Sequence, residues 1–105
     1  EDSLLSRWVT SLPAPYCADM AALYAEMDAL ETPEARLYKA LDKLEAVIQH
    51  NEAPISTWLP REYALNLTYA DENVAFSPYL TALREAVRDE TKAKIAAHGG
   101  IPAAE

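Results

Sequence analysis

Asp42 is an acid whose type could serve chemistry as a metal ligand. It lies in the stretch from Ala35 to Ala53, which reads as one helix with an aliphatic face and a short polar stripe. A carboxylate suits a hard or borderline divalent cation, but one carboxylate alone does not hold a metal usefully. On spacing alone, Asp42 is an ordinary helix-surface acid, paired with Lys39 or Lys43. Tyr38 and Glu45 sit one turn either side of it on the same face. They could position a ligand or a substrate group, or line a solvated or interdomain face. Lys39 and Lys43 could meet a phosphate as point charges, although lysines on a long helix more commonly face solvent. The only imidazoles, His50 and His98, neighbour no Cys and no second His, and fit no metal spacing. His98, just before Gly99, is placed to favour a helix C-terminus electrostatically. Cys17 has no basic neighbour and no triad pattern, so it reads as a small buried hydrophobe. Trp8, Trp58 and the six tyrosines read as core and interface residues.

The helix that carries Asp42 has clear ends. Thr32-Pro33-Glu34 supplies a hydroxyl N-cap, a proline in the first helical position and an acid in the first turn. Pro54 forbids continuation. At about 100° per residue, Leu37, Leu41, Leu44 and Ile48 fall in a narrow arc, with Ala40 and Val47 on its flank. This predicts that Leu41 and Leu44 are among the least accessible residues. Tyr38, Asp42, Glu45 and Gln49 form a second stripe, rotated by roughly a quarter turn from the first. Lys39, Lys43 and His50 occupy a third sector, which the pattern assigns to solvent.

Four further helices are expected. One runs from Ser3 to Ser11, with Leu4, Leu5, Trp8 and Leu12 on one side. A second runs from Tyr16 to Leu30, with Met20, Leu23, Tyr24, Met27 and Leu30 as its apolar face. Another starts at Pro60 and reaches Ala70, with Tyr63, Leu67 and Ala70 as its stripe. The last starts at Ser77-Pro78, buries Tyr79, Leu80, Leu83, Val87 and Ile95, and ends at Gly99-Gly100. Ile101 to Glu105 reads as a frayed tail. The only two glycines are adjacent, at 99 and 100. Nothing before them can be a glycine-rich phosphate loop, and tight hairpins are disfavoured. The fold class is therefore all-α, with five helices in one domain.

At 105 residues and a net charge of −8, the chain lacks the clustered cations that nucleic acid requires. No apolar run approaches the roughly 20 residues that span a bilayer. A single cysteine excludes an internal disulfide and fits a reducing, cytoplasmic setting. The first residue is Glu1, not Met, from which a fragment, a cleaved product or a trimmed end is expected.

The run Ala40-Leu41-Asp42-Lys43-Leu44-Glu45 resembles the last block of the HD-superfamily metal-dependent phosphohydrolases, the branch containing the bacterial 5'-deoxynucleotidases. The order of blocks extends the resemblance. Leu12-Pro13, a helix, Thr32-Pro33-Glu34-Ala35-Arg36, the Asp42 helix, Trp58-Leu59-Pro60 and Ala75-Phe76-Ser77-Pro78-Tyr79-Leu80 together look like the C-terminal half of these enzymes. The resemblance implies an HD-domain-like helical bundle in which Asp42 is the final ligand of a divalent metal. The metal activates water and polarises a phosphoester oxygen. The other implied ligands, a first His and an adjacent His-Asp pair, lie upstream in the family, and this chain has no His before position 50. The implied substrate is a small phosphomonoester, such as a nucleoside 5'-monophosphate. The implied partner is the N-terminal half of the HD domain or a second copy of the chain. Alone, the chain is expected to be inactive or nearly so. The competing expectation is a non-catalytic helical interaction module derived from an HD domain.

Overall fold

The computed structural model describes residues 2–102. The chain divides into two compact units, Glu1–Lys39 and Ala40–Glu105. The elements in order are α1 (Asp2–Thr10), α2 (Tyr16–Ala29), α3 (Pro33–Glu52), a 3-10 turn (Ile55–Thr57), α4 (Pro60–Thr68), α5 (Asp71–Val74) and α6 (Pro78–Ala97). The fold is all-α, with no strand among the described residues. The five helices expected from sequence are all present. The one-turn helix α5 is an addition to them.

The expected caps form. Thr32 Oγ1 accepts from the Ala35 N–H at 3.1 Å at the head of α3. Ser77 Oγ accepts from the Leu80 N–H at 3.2 Å at the head of α6. Glu62, in the first turn of α4, accepts from the Leu59 N–H at 2.9 Å, which satisfies one of the amides a helix start leaves unpaired. At the end of α6, Gly100 N–H donates to Ile95 O and Gly99 N–H to Ala96 O, with Gly99 at φ 107. This paired arrangement closes the last turn with a residue in the left-handed region. Ala103 to Glu105, the end of the expected tail, lie outside the described residues.

In the first unit, α1 and α2 pack against each other. The side of α1 expected inside is largely open: Leu4, Leu5 and Trp8 are exposed, and Val9 is the buried residue. Helix α2 buries none of its residues completely. Cys17 is half-buried, with its thiol directed at the Thr10 carbonyl oxygen.

The second unit carries the core. One cluster joins Ala40 and Leu44 of α3 with Ala70, Val74 and Leu80. Another joins Trp58, Tyr63 and Ile95, with Ile55 and Leu67 packed against them. The Trp58 and Tyr63 rings meet edge to face at a centroid distance of 5.3 Å, a favoured aromatic geometry.

The buried stripe of α3 differs from the expected one. Ala40, Leu44 and Val47 are buried, Leu44 to 1% exposure, whereas Leu37 is exposed and Leu41 is 48% exposed. The true inward face is rotated by roughly 60° from the aliphatic stripe, and Leu44 is common to both. Polar partners decide the rotation. Asn51 Nδ2 donates to Val87 O, and Asn51 Oδ1 accepts from the Thr91 hydroxyl at 3.0 Å. Lys43 and His50, assigned to solvent by the pattern, are half-buried on this same side. Tyr79, expected inside, is 77% exposed, while Arg84 and Thr91 of α6 are buried.

Candidate functional site

Asp42 is exposed on α3, well away in angle from the buried Ala40, Leu44 and Val47. Among the described residues its side chain makes no hydrogen bond and no ion pair, so neither Lys39 nor Lys43 holds it. Tyr38 and Glu45 are exposed on the same helix. Glu45 Oε1 accepts from Gln49 Nε2 at 2.5 Å, one turn on. Lys39 is half-buried.

Lys43 is committed elsewhere. Its ammonium donates to the Tyr69 hydroxyl at 3.0 Å and lies 4.7 Å from the centre of the Tyr69 ring. A cation over an aromatic face is held there by the ring quadrupole. In a chain with 17 acids and nine cations, a lysine placed on a tyrosine is doing packing rather than charge neutralisation.

His50 also has a structural position. Its Nδ1 lies 2.9 Å from Asn66 Oδ1, its Nε2 lies 3.8 Å from Glu62, and its backbone carbonyl accepts from Trp58 Nε1 at 2.9 Å. These contacts tie the last turn of α3 to α4 and to the segment after the 3-10 turn. The Asn66 contact was not legible from sequence, because an asparagine in a helix gives no inward signal.

The second cluster that sequence reasoning missed centres on Arg84. Its side chain is 1% exposed; Nε donates to Asp71 Oδ1 at 3.1 Å and Nη2 to Asn66 O at 2.9 Å. Arg88 donates to Asp71 and Glu85, and also to Leu67 O. The two guanidiniums thereby take the last carbonyls of α4, which a helix end leaves without partners. Burial pushes the Asp71 carboxyl up, but the Arg88 hydrogen bond and the charges of Arg88 and Arg84 outweigh it and hold the group below the usual carboxylate range. Burial and the nearby Arg88 charge lower the Arg84 value, while hydrogen bonds to Asp71 and Glu85 raise that of Arg88. This cluster is a fastening between α4, α5 and α6.

A metal ion needs several convergent ligands. Among the described residues no group of three or more His, Cys, Asp or Glu side chains could hold one. Asp42 belongs to no such group, and the described residues do not make a metal site by themselves.

A model of the HD-domain family matches residues 1–84. That span contains α1 to α5, the Asp42 turn of α3 and the start of α6. The chain therefore belongs to the HD-domain family, a superfamily of metal-dependent phosphohydrolase type whose members are generally hydrolytic and typically bind divalent metals. No curated protein and no solved structure matches the chain. No helix among the described residues is long and apolar enough to cross a membrane.

Proposed function

We propose that this chain forms part of an HD-type metal-dependent phosphohydrolase of the 5'-deoxynucleotidase-like branch, as its C-terminal portion, and contributes Asp42 as one metal ligand. The substrate class is a small phosphomonoester such as a nucleoside 5'-monophosphate. The observation that carries the reading is the combination of family and geometry. Within the matched span, Asp42 is a carboxylate on the exposed side of a helix anchored by a buried stripe, with no side-chain hydrogen bond or ion pair among the described residues. Tyr38, Glu45 and Lys39, on or beside that face, are the candidates for orienting the ligand or the substrate.

The remaining ligands, a His and a His-Asp pair, come from outside these residues. The partner that brings them is the N-terminal half of the domain or a second copy, in a cytoplasmic setting, with neither nucleic acid nor membrane involved. Without that partner the chain does not turn over substrate. A second reading, a non-catalytic helical subunit, is favoured by one observation: the exposed Leu37, Leu41 and Tyr38 give α3 an outward surface suited to contact. The experiment is a phosphate-release assay on a panel of nucleoside 5'-monophosphates, using the assembly that carries a His-Asp pair with this chain. It is run with and without divalent metal, alongside a measurement of bound metal. Metal-dependent release that disappears in Asp42→Ala supports the enzyme. Unchanged metal content and turnover in that variant overturn the ligand role.

A further inference from the structure

The first unit contains a groove of about 440 Å³ between α2 and the first turn of α3. Met20, Leu23, Tyr24 and Met27 form its apolar lining, and Glu26 and Glu34 stand at it. Leu23 is more than half exposed, and no residue of α2 is fully buried. A helix rich in apolar side chains that buries none of them completely leaves apolar surface open for contact. Two methionines in the lining matter, because unbranched, polarizable side chains repack around different aliphatic groups.

Charge selects the occupant. Neither Glu26 nor Glu34 forms an ion pair among the described residues. Glu26 accepts from the Thr32 hydroxyl at 2.7 Å, which orients the carboxylate without neutralising it. Residues 1–39 hold seven acids against three bases. A second copy would bring the same acidic groove and the same excess of negative charge, and like charges brought together are costly. A helix with an aliphatic stripe flanked by Lys or Arg satisfies both the apolar floor and the acidic groups.

We propose that this groove docks a basic amphipathic helix of a partner protein. Its aliphatic residues seat on Met20, Leu23 and Met27, and its Lys or Arg side chains face Glu26 and Glu34. The inference does not rest on the metal-ligand role of Asp42 and concerns a different surface.

The test is fluorescence anisotropy of the 105-residue chain with labelled peptides: an amphipathic Leu/Lys helix, a scrambled peptide of the same composition, and a Leu/Glu counterpart. The Leu/Lys helix is expected to bind about tenfold or more tighter than either control, and Leu23→Asp to weaken it by about tenfold. Glu34→Gln should weaken binding more than Glu90→Gln, which makes the same charge change on exposed α6 surface. Circular dichroism of each variant shows that the fold is kept. Equal binding of the scrambled peptide, equal effects of the two Glu→Gln changes, or no binding at all overturns the proposal. So does light scattering that shows a dimer dissociated by Leu23→Asp, which assigns the groove to a second copy. Metal binding measured on Asp42→Ala is unaffected by any of these outcomes, so the two readings fail separately.

Discussion

Arg84 Nε donates to Asp71 Oδ1 at 3.1 Å, from a guanidinium that is almost wholly buried to a carboxylate whose side chain stands 38% open. The asymmetry sets the energetics. Removing the acid leaves a buried cation without its counter-charge, which costs roughly 3–5 kcal/mol in a fully buried pair. Solvent already screens Asp71, and Arg84 keeps its bond to Asn66 O, so Asp71→Ala should cost about 2 kcal/mol. Urea denaturation of the variant against the parent chain measures it.

The same pair gives a pH dependence. The folded Asp71 value lies below its ordinary one near 3.8, because Arg88 and Arg84 outweigh the effect of burial. A carboxyl lowered in this way stabilises the fold fully above the ordinary carboxylate range. That contribution fades as pH falls through the folded value, where the native state must take up a proton. Stability followed from neutral pH down to the acid range should therefore drop less steeply in Asp71→Asn than in the parent. Parallel curves would show that the Arg84–Asp71 contact adds no linked stability.

Leu44 and Leu41 separate two readings of one helix. Leu44→Ala should cost about 2–5 kcal/mol, because it opens a cavity beside Ala40, Val74 and Leu80. Leu41→Ala, at a side chain nearly half exposed, should cost under about 1 kcal/mol. Matched thermal melts of the two variants decide it, and equal losses would put Leu41 back in the core.

The ends of α3 and α6 were legible in sequence because their signals are local. Thr32-Pro33, Ser77-Pro78 and Gly99-Gly100 act on the backbone within a turn and need no tertiary partner. The phase of α3 was not legible, for a physical reason. Two stripes of the same helical period pass through Leu44: one of large aliphatics, Leu37, Leu41 and Ile48, and one of Ala40, Val47 and Asn51. Hydrophobicity favours the first. The structure takes the second because Asn51 finds Thr91 and the Val87 carbonyl, and those partners lie about 40 positions away in the chain. Arg84 was missed similarly. A buried arginine becomes affordable only once Asp71 and the end of α4 stand beside it. The outward position of Asp42 followed from the angular pattern, whereas the ligand role proposed for it rests on the family resemblance and on no signal of its own.

Gly99→Ala tests the closure of α6. A Cβ at Gly99 would meet nothing within 4 Å, so the cost is conformational and not steric crowding with other residues. Its φ of 107 lies where side-chain-bearing residues are disfavoured. A loss of about 1 kcal/mol is expected from the strained backbone, partly offset by reduced freedom of the unfolded chain. An unchanged melting temperature would mean that the last turn frays and that its cap stabilises nothing.

Asp42→Ala separates ligand chemistry from folding. Asp42 is exposed on α3 and its side chain forms no hydrogen bond or ion pair with another described residue, and Ala has a higher helix propensity than Asp. The stability of the chain should therefore stay within about 0.5 kcal/mol of the parent, measured by urea titration. Under the proposed function, the catalytic effect appears only in the assembly that supplies the remaining ligands. There the variant should lose bound metal and metal-dependent phosphate release together, with its circular dichroism spectrum unchanged, because a ligand is removed and no packing is disturbed. Asp42→Asn sharpens the test: the amide keeps the shape and loses the charge, so it should also bind metal poorly if the carboxylate is a ligand. A variant that loses stability by several kcal/mol would show that Asp42 has a packing role. A stable variant with full metal content and full turnover would remove Asp42 from the chemistry.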